Sequence, residues 1–213
     1  MAEPISIVYF SGTGGTEQIA RAFDHSLRER RYDCHLIPLD QSKWAQRTLA
    51  SENRDAISNS RRVILVFAVH AFDAPDPVYR WLEQTNGNGK RIAVISVSGG
   101  GELWPNTGCR NRIIRLLEER GFELDYEKMM VMPCNWVVPT NDHLAMHLLN
   151  AIPEKVGKIL DNLMTGQKRR VRHRLGWFRK GIPYLEKMGA RTFARSLEVT
   201  DSCTACGWCV DHC

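Results

Sequence analysis

Four cysteines near the end of the chain, Cys203, Cys206, Cys209 and Cys213, form a CxxCxxCxxxC ladder. Thiolates two or three residues apart can converge on one inorganic cluster, and this spacing is one that ligates iron–sulfur centres. Four local thiolates could instead close a tetrahedral zinc site, but zinc sites more often present two separated CxxC pairs. Iron–sulfur ligation, with a 4Fe-4S cluster as the expected form, is therefore the leading chemistry for this ladder. Gly207 punctuates it, as a tight wrap would need. The remaining cysteines, Cys34, Cys109 and Cys134, are isolated. Cys34 reads as a small core residue on a strand, and Cys109 as a structural thiol at a helix start.

A second chemical feature lies near the other end. Ser11, Gly12, Thr13, Gly14, Gly15 and Thr16 follow an apolar run and precede an amphipathic one. Glycines let backbone NH groups approach an anion closely, the hydroxyls of Ser11, Thr13 and Thr16 add donors, and a helix N-terminus adds a favourable dipole. That combination can hold a phosphate without Lys or Arg. No Lys follows the glycines, which excludes a P-loop, and the GxGxxG dinucleotide pattern does not fit. The bland alternative is a solvated turn that caps a helix. No Ser, His and Asp set and no HExxH pattern stands out among the 7 histidines, so a hydrolase is disfavoured.

The elements that must position these residues alternate through the first 165 residues, as in a parallel sheet covered by helices. Strands are expected at Ile5–Phe10, Cys34–Leu39, Val63–Val69, Arg91–Val97 and Met129–Met132. Helices are expected over 17–31, 77–86, 108–120 and 143–163, with a further one in the polar stretch 41–60. The organisation expected is a main domain over 1–165, a basic linker over 166–196, and a cysteine module that begins at 197.

Charge separates those parts. Residues 1–165 hold 19 Lys plus Arg against 20 Asp plus Glu, whereas 166–195 hold 10 basic residues and one acidic residue, Glu186. The net charge of +5 thus originates in the linker. Trp177, Phe178 and Tyr184 interleave these charges. A solvated tether is the plain reading of the segment; an acidic redox partner docking there, or a nucleic acid or anionic lipid, are the alternatives. No apolar run reaches the roughly 20 residues that span a bilayer. The first residues lack the basic and apolar regions of a signal peptide, so a cytoplasmic location, where clustered thiols bind metal rather than pair, is expected.

The loop Ser11–Thr16 matches in full the Ser/Thr-x-Thr-Gly-x-Thr pattern of the flavodoxin-like family, which the chain resembles over residues 5–163. The resemblance implies an α/β fold, a doubly wound five-stranded parallel sheet of order 2-1-3-4-5 with FMN at its switch point. It implies that Ser11–Thr16 hold the FMN phosphate, and that the loops after the third and fourth strands flank the flavin ring. The residues concerned are His70, Ala71 and Phe72 in one loop and Ser98, Gly99, Gly100, Gly101 and Trp104 in the other. Stacking of Phe72 or Trp104 on the ring is expected on this basis, against ordinary packing as the alternative.

The segments 96–110 and 132–136 also look like the flavodoxin domains fused to bacterial-type ferredoxins in anaerobes. Such proteins carry two ladders, and this chain shows one, without Pro after the fourth Cys. By the ferredoxin rule the fourth Cys of a ladder serves the other cluster, which singles out Cys213. The resemblance implies an electron-transfer flavo-iron-sulfur protein working with a redox partner protein. A flavin-dependent reductase of a quinone or other small acceptor, and a non-catalytic redox-sensing or docking module, are the rivals.

Overall fold

The computed structural model describes residues 4–39, 51–103, 106–134, 139–171, 188–189, 192–193, 195 and 198–207. Trp104, Cys209, Cys213 and the first half, 41–50, of the polar stretch 41–60 lie outside them, while the second half of that stretch holds a helix, as expected.

Five strands are present: β1 (Ile5–Phe10), β2 (Cys34–Pro38), β3 (Arg62–Ala68), β4 (Arg91–Ser98) and β5 (Glu123–Val131). They form one parallel sheet of order β2-β1-β3-β4-β5, with partners such as Ile7 and Ile64 or Leu65 and Val94 in register. The central strands are continuous runs of branched and aromatic residues because both of their faces are covered. All six residues of β1 are buried.

The helices are α1 (Gly15–Glu29), α2 (Ser51–Asn59), α3 (Asp76–Glu83), α4 (Cys109–Glu119), α5 (Asp142–Asn150) and α6 (Ile152–Met164). Period-two alternation along the strands divides the core into two layers. On one face Ile5, Ile7, Ile64, Val66, Ala93 and Ile95 meet Ile19, Phe23 and Leu27 of α1 and Val156, Ile159 and Leu160 of α6. On the other, Val8, Phe10, Leu65, Phe67 and Val94 meet Ile57, Val78 and Trp81, and Ile113, Ile114 and Leu117 of α4. The expected doubly wound sheet and its strand order are therefore what the chain forms.

Two elements differ from the sequence expectation. The last strand begins at Glu123, not Met129, because Glu123, Asp125, Glu127 and Lys128 interrupt its apolar pattern while polar and charged partners accommodate them. Asp125 sits at a register shift against β4 and pairs with Arg62 at 3.0 Å, and Glu127 pairs with Arg110 at 2.7 Å. The expected single helix over 143–163 is two. Asn141 caps α5 by accepting from the Leu144 NH, Pro153 sits in the first turn of α6, and Ala151 joins them. A proline there lacks the NH and crowds the preceding turn, so a new helix starts instead of the old one continuing. Among the described residues no helix is long and apolar enough to cross a membrane.

Candidate functional site

Parallel strands send their carboxyl ends to one edge of the sheet, and the loops after β1, β3 and β4 emerge side by side there. The first is built as an anion cradle. Gly14 has φ +91° and is the N-cap of α1, a glycine with no side chain of its own to cap the helix. A Cβ on Gly12 or Gly14 would meet nothing within 4 Å, so open space lies over the loop. Inside it, the Ser11 hydroxyl oxygen is buried without a hydrogen-bond partner. Glu17, the acidic residue of the first turn, is engaged with Arg21 at 2.6 Å. The amides of a helix start, an orphaned hydroxyl and an accessible loop together fit the phosphate of a nucleotide. Thr16 is buried in the first turn of α1, and Thr13 is exposed.

The loop after β3 is a tight reversal. His70 NH donates to the Asp73 carbonyl at 3.0 Å, Asp73 NH donates back at 2.9 Å, and the two residues between, Ala71 and Phe72, have φ of 52° and 53°. Two successive non-glycine residues in the left-handed region persist only where neighbours hold them. The brace is Asp73. Its Oδ1 accepts from the Tyr79 hydroxyl at 2.5 Å and the Ala74 NH at 2.9 Å, and its Oδ2 lies 3.5 Å from Arg112, whose guanidinium covers the Tyr79 ring. Burial and then the Asp73 carboxylate raise the Tyr79 hydroxyl well above its ordinary pKa, so it remains a donor. The turn thus presents Phe72 partly exposed at the rim, and His70 sets its ring edge-on to Phe10 at 5.7 Å.

The loop after β4, Ser98 to Leu103, joins the same rim. Val69 NH donates to the Val97 carbonyl at 2.8 Å, and Met132 NH to the Ser98 carbonyl at 3.2 Å. Met132 in turn reaches to 3.6 Å of where a Gly15 Cβ would lie, which ties the first loop to the last strand. Gly99 lies close against Cys134: an added Cβ would come within 2.7 Å of the Cys134 Cβ. Gly101 has φ +76°, as a glycine readily adopts. The structure therefore brings Ser11–Thr16, His70–Phe72 and Ser98–Gly101 to one edge.

Behind that edge lies a charged cluster that the sequence pattern did not single out. Arg110 is wholly buried, donating Nε to Glu127 Oε2 at 2.7 Å and Nη1 to Ser96 Oγ at 2.8 Å. Glu102 receives Lys128 at 2.7 Å, Arg169 at 3.0 Å and, more distantly, Arg110 at 3.4 Å. Burial alone would raise the Glu102 pKa, but Lys128, Arg169 and Arg110 outweigh it and hold the carboxyl below its ordinary range. A signal for Arg110 was present: with Ile113, Ile114 and Leu117 it completes the i, i+3, i+4, i+7 buried face of α4.

The thiols divide by environment. Burial pushes Cys34 up to about 11 and Cys109 up to about 12, so the helix start does not activate Cys109. Cys203 and Cys206 are exposed and free of disulfides. Between them Ala205 has φ 52°, and its NH donates to Cys203 Sγ at 3.5 Å; Gly207 follows with φ 78°. A left-handed turn thus directs one amide at the Cys203 sulfur. Among the described residues no group of three or more potential ligands surrounds a metal position, and two of the four rungs lie outside them.

No protein-family model matches the chain, and no curated protein matches it. Solved structures do. A WrbA-like flavodoxin protein from Agrobacterium tumefaciens is 12% identical, with TM-score 0.52, over 78% of this chain and 100% of its own. The fold is flavodoxin-like. General stress protein 14 from Treponema denticola, solved in complex with FMN, is 10% identical with TM-score 0.55 and covers 77% of this chain and 99% of its own. Flavodoxin 2 from Bacillus cereus is 17% identical with TM-score 0.50 and covers 75% of this chain and 99% of its own. Identities this low speak for the architecture alone.

Proposed function

We propose that the chain is an electron-transfer flavo-iron-sulfur protein, which holds FMN at the carboxyl edge of its sheet and a 4Fe-4S cluster at its cysteine ladder. The observation that carries the flavin half is the buried, unpartnered Ser11 hydroxyl beneath the start of α1. A phosphate there would accept from that hydroxyl and from the NH groups of the first helical turn. The rim loops suit a planar ring beside it. Phe72, fixed by the Asp73 brace, offers an aromatic flank, and Ser98–Gly101 offer backbone groups with little side-chain bulk. The Treponema denticola protein, which shares the fold, was solved in complex with FMN.

For the cluster half, Cys203 and Cys206 are exposed, in no disulfide and joined by a turn that directs an NH to sulfur; Cys209 and Cys213 complete the spacing. When bound, FMN exchanges one or two electrons and an iron–sulfur cluster exchanges one at a time. The chain's own part is to bind, orient and exclude water; the described geometry calls for no acid or base. The proposed partner is a redox protein with an acidic surface that docks on the basic segment after residue 171.

Titration of the purified chain with FMN tests the first half: saturable binding at micromolar concentration or below, weakened by Ser11→Ala, is expected, and absence of binding rejects it. Anaerobic reconstitution with iron and sulfide tests the second. About four irons and four sulfides per chain, with broad visible absorption, are expected. Stoichiometric zinc without that absorption rejects the cluster.

A further inference from the structure

Glu102 belongs to the glycine-rich loop after β4, yet all its partners lie outside that loop. Its Oε2 accepts from Lys128 Nζ and Arg169 Nη2, and its Oε1 accepts from the Met129 NH at 3.3 Å and lies near Arg110 Nη2. One carboxylate therefore joins the rim loop, β5, α4 and the start of the basic segment. That segment is not loose where it leaves the domain. Arg169 NH donates to the Asp125 carbonyl at 3.2 Å, Glu127 NH donates to the Arg169 carbonyl at 3.0 Å, and Arg169 pairs with Tyr126 in a parallel bridge. Val171 NH donates to Glu127 Oε1, and Arg170 makes two bonds to Glu118, at 2.6 and 3.0 Å. Residues 169–171 thus form a clasp along the outer edge of β5, and they run in its direction, toward the edge that carries the rim loops.

We propose that Glu102 couples the conformation of the Ser98–Leu103 loop to the closure of this clasp, so that a ligand held by the loop and the attachment of the cysteine-bearing segment are thermodynamically linked. The ion pairs explain why Glu102 decides the matter. Lys128 and Arg169 both pair with Glu102, while Arg110 pairs closely with Glu127 and more distantly with Glu102. If the loop moves and carries Glu102 away, Lys128 and Arg169 lose the carboxylate that lies between them, and Arg169 is repelled by its cationic neighbours. The loop can move at low cost, because three consecutive glycines precede Glu102 and Gly101 already occupies the left-handed region. Linkage makes the effect reciprocal: whatever factor a loop ligand contributes to clasp opening, clasp opening returns to ligand affinity. The identity of that ligand as FMN rests on the function proposed above; the loop-to-clasp coupling does not.

Hydrogen exchange at the amides of Glu127, Arg169 and Val171 in the full chain reads the clasp directly. In FMN-free protein, Glu102→Gln is expected to speed their exchange at least about fivefold, the low end of ordinary coupling, while the amides of β1 and β3 stay unchanged. Gly101→Ala, which strains the residue before Glu102, is expected to speed it as well, and the double variant to exceed Glu102→Gln by nothing. FMN, added as the probe, is expected to change exchange at these amides in the wild type and not in Glu102→Gln. Unchanged exchange in Glu102→Gln, additive effects of the two substitutions, or FMN that binds without altering wild-type exchange would each overturn the coupling. Failure of FMN to bind at all sinks the flavin reading instead, and the two ligand-free comparisons still decide the clasp.

Discussion

A hydroxyl buried without a partner costs stability until a ligand satisfies it, so Ser11→Ala should act in opposite directions on the empty and the loaded protein. Without FMN, the substitution is expected to leave thermal stability equal or raise it by up to about 1 kcal/mol. FMN affinity should fall about tenfold, the loss of one charge-assisted hydrogen bond. Thermal unfolding and FMN titration of the same variant read both signs. Glu127→Gln should be far more damaging, because it leaves the wholly buried Arg110 without its close carboxylate; about 3–5 kcal/mol of stability is at stake, measurable by denaturant unfolding. Thiol labelling gives a third check at this scale. Near pH 8 the metal-free native chain should alkylate at Cys203 and Cys206 and not at Cys34 or Cys109, whose thiols burial keeps protonated. Mass spectrometry after labelling would show it. The Ser11–Thr16 loop was legible from the sequence because its residue types and spacing are set by contact with the backbone. The pairing of Arg110 with Glu127 was not: Arg110 shows only its place on the buried face of α4, and Glu127 looks like a surface residue until its partner from another element is known.

Among the elements, the loop after β4 has little room for added bulk. Gly99→Ala would drive a Cβ into Cys134, so either the 132–134 segment or the loop must shift. A cost of about 1–3 kcal/mol is expected, with weakened FMN binding as the functional sign; unfolding and titration of the variant test both. The strands were readable where both faces are apolar, which is why β1, β3 and β4 stand within a residue or so of expectation. β5 was readable only in its last third. Its earlier residues depend on Arg62, Arg110 and the 169–171 clasp, and such long-range compensation leaves no periodicity behind. The break between α5 and α6 had its sign in Pro153, whose place in a first helical turn is as common as its place at a kink.

At the scale of the whole molecule, the pH response follows from Glu102. Its folded pKa lies below the usual 4.5, so its stabilisation is present in full above that value and is lost as the pH falls through the lower folded pKa. The difference in melting temperature between wild type and Glu102→Gln should be constant above about pH 5.5 and close as the solution is acidified further. Strand–helix alternation made a parallel sheet covered by helices legible, whereas the sheet order was legible only through the family resemblance carried by the Ser11–Thr16 loop. The reach of the domain beyond residue 165 was not, since Gln167 to Val171 read as the start of a tether.

That extension has a practical side. Were the chain shortened to end at residue 165, the amide of Glu127 and the carbonyl of Asp125 would lose their partners, and β5 would become a bare outer strand. An uncovered strand is a template for pairing with another copy. The shortened protein is therefore expected to self-associate at concentrations where one ending after Val171 stays dispersed, and light scattering of the two would reveal it. The first residues of the basic segment serve, in this light, to keep neighbouring molecules from adding themselves to the sheet.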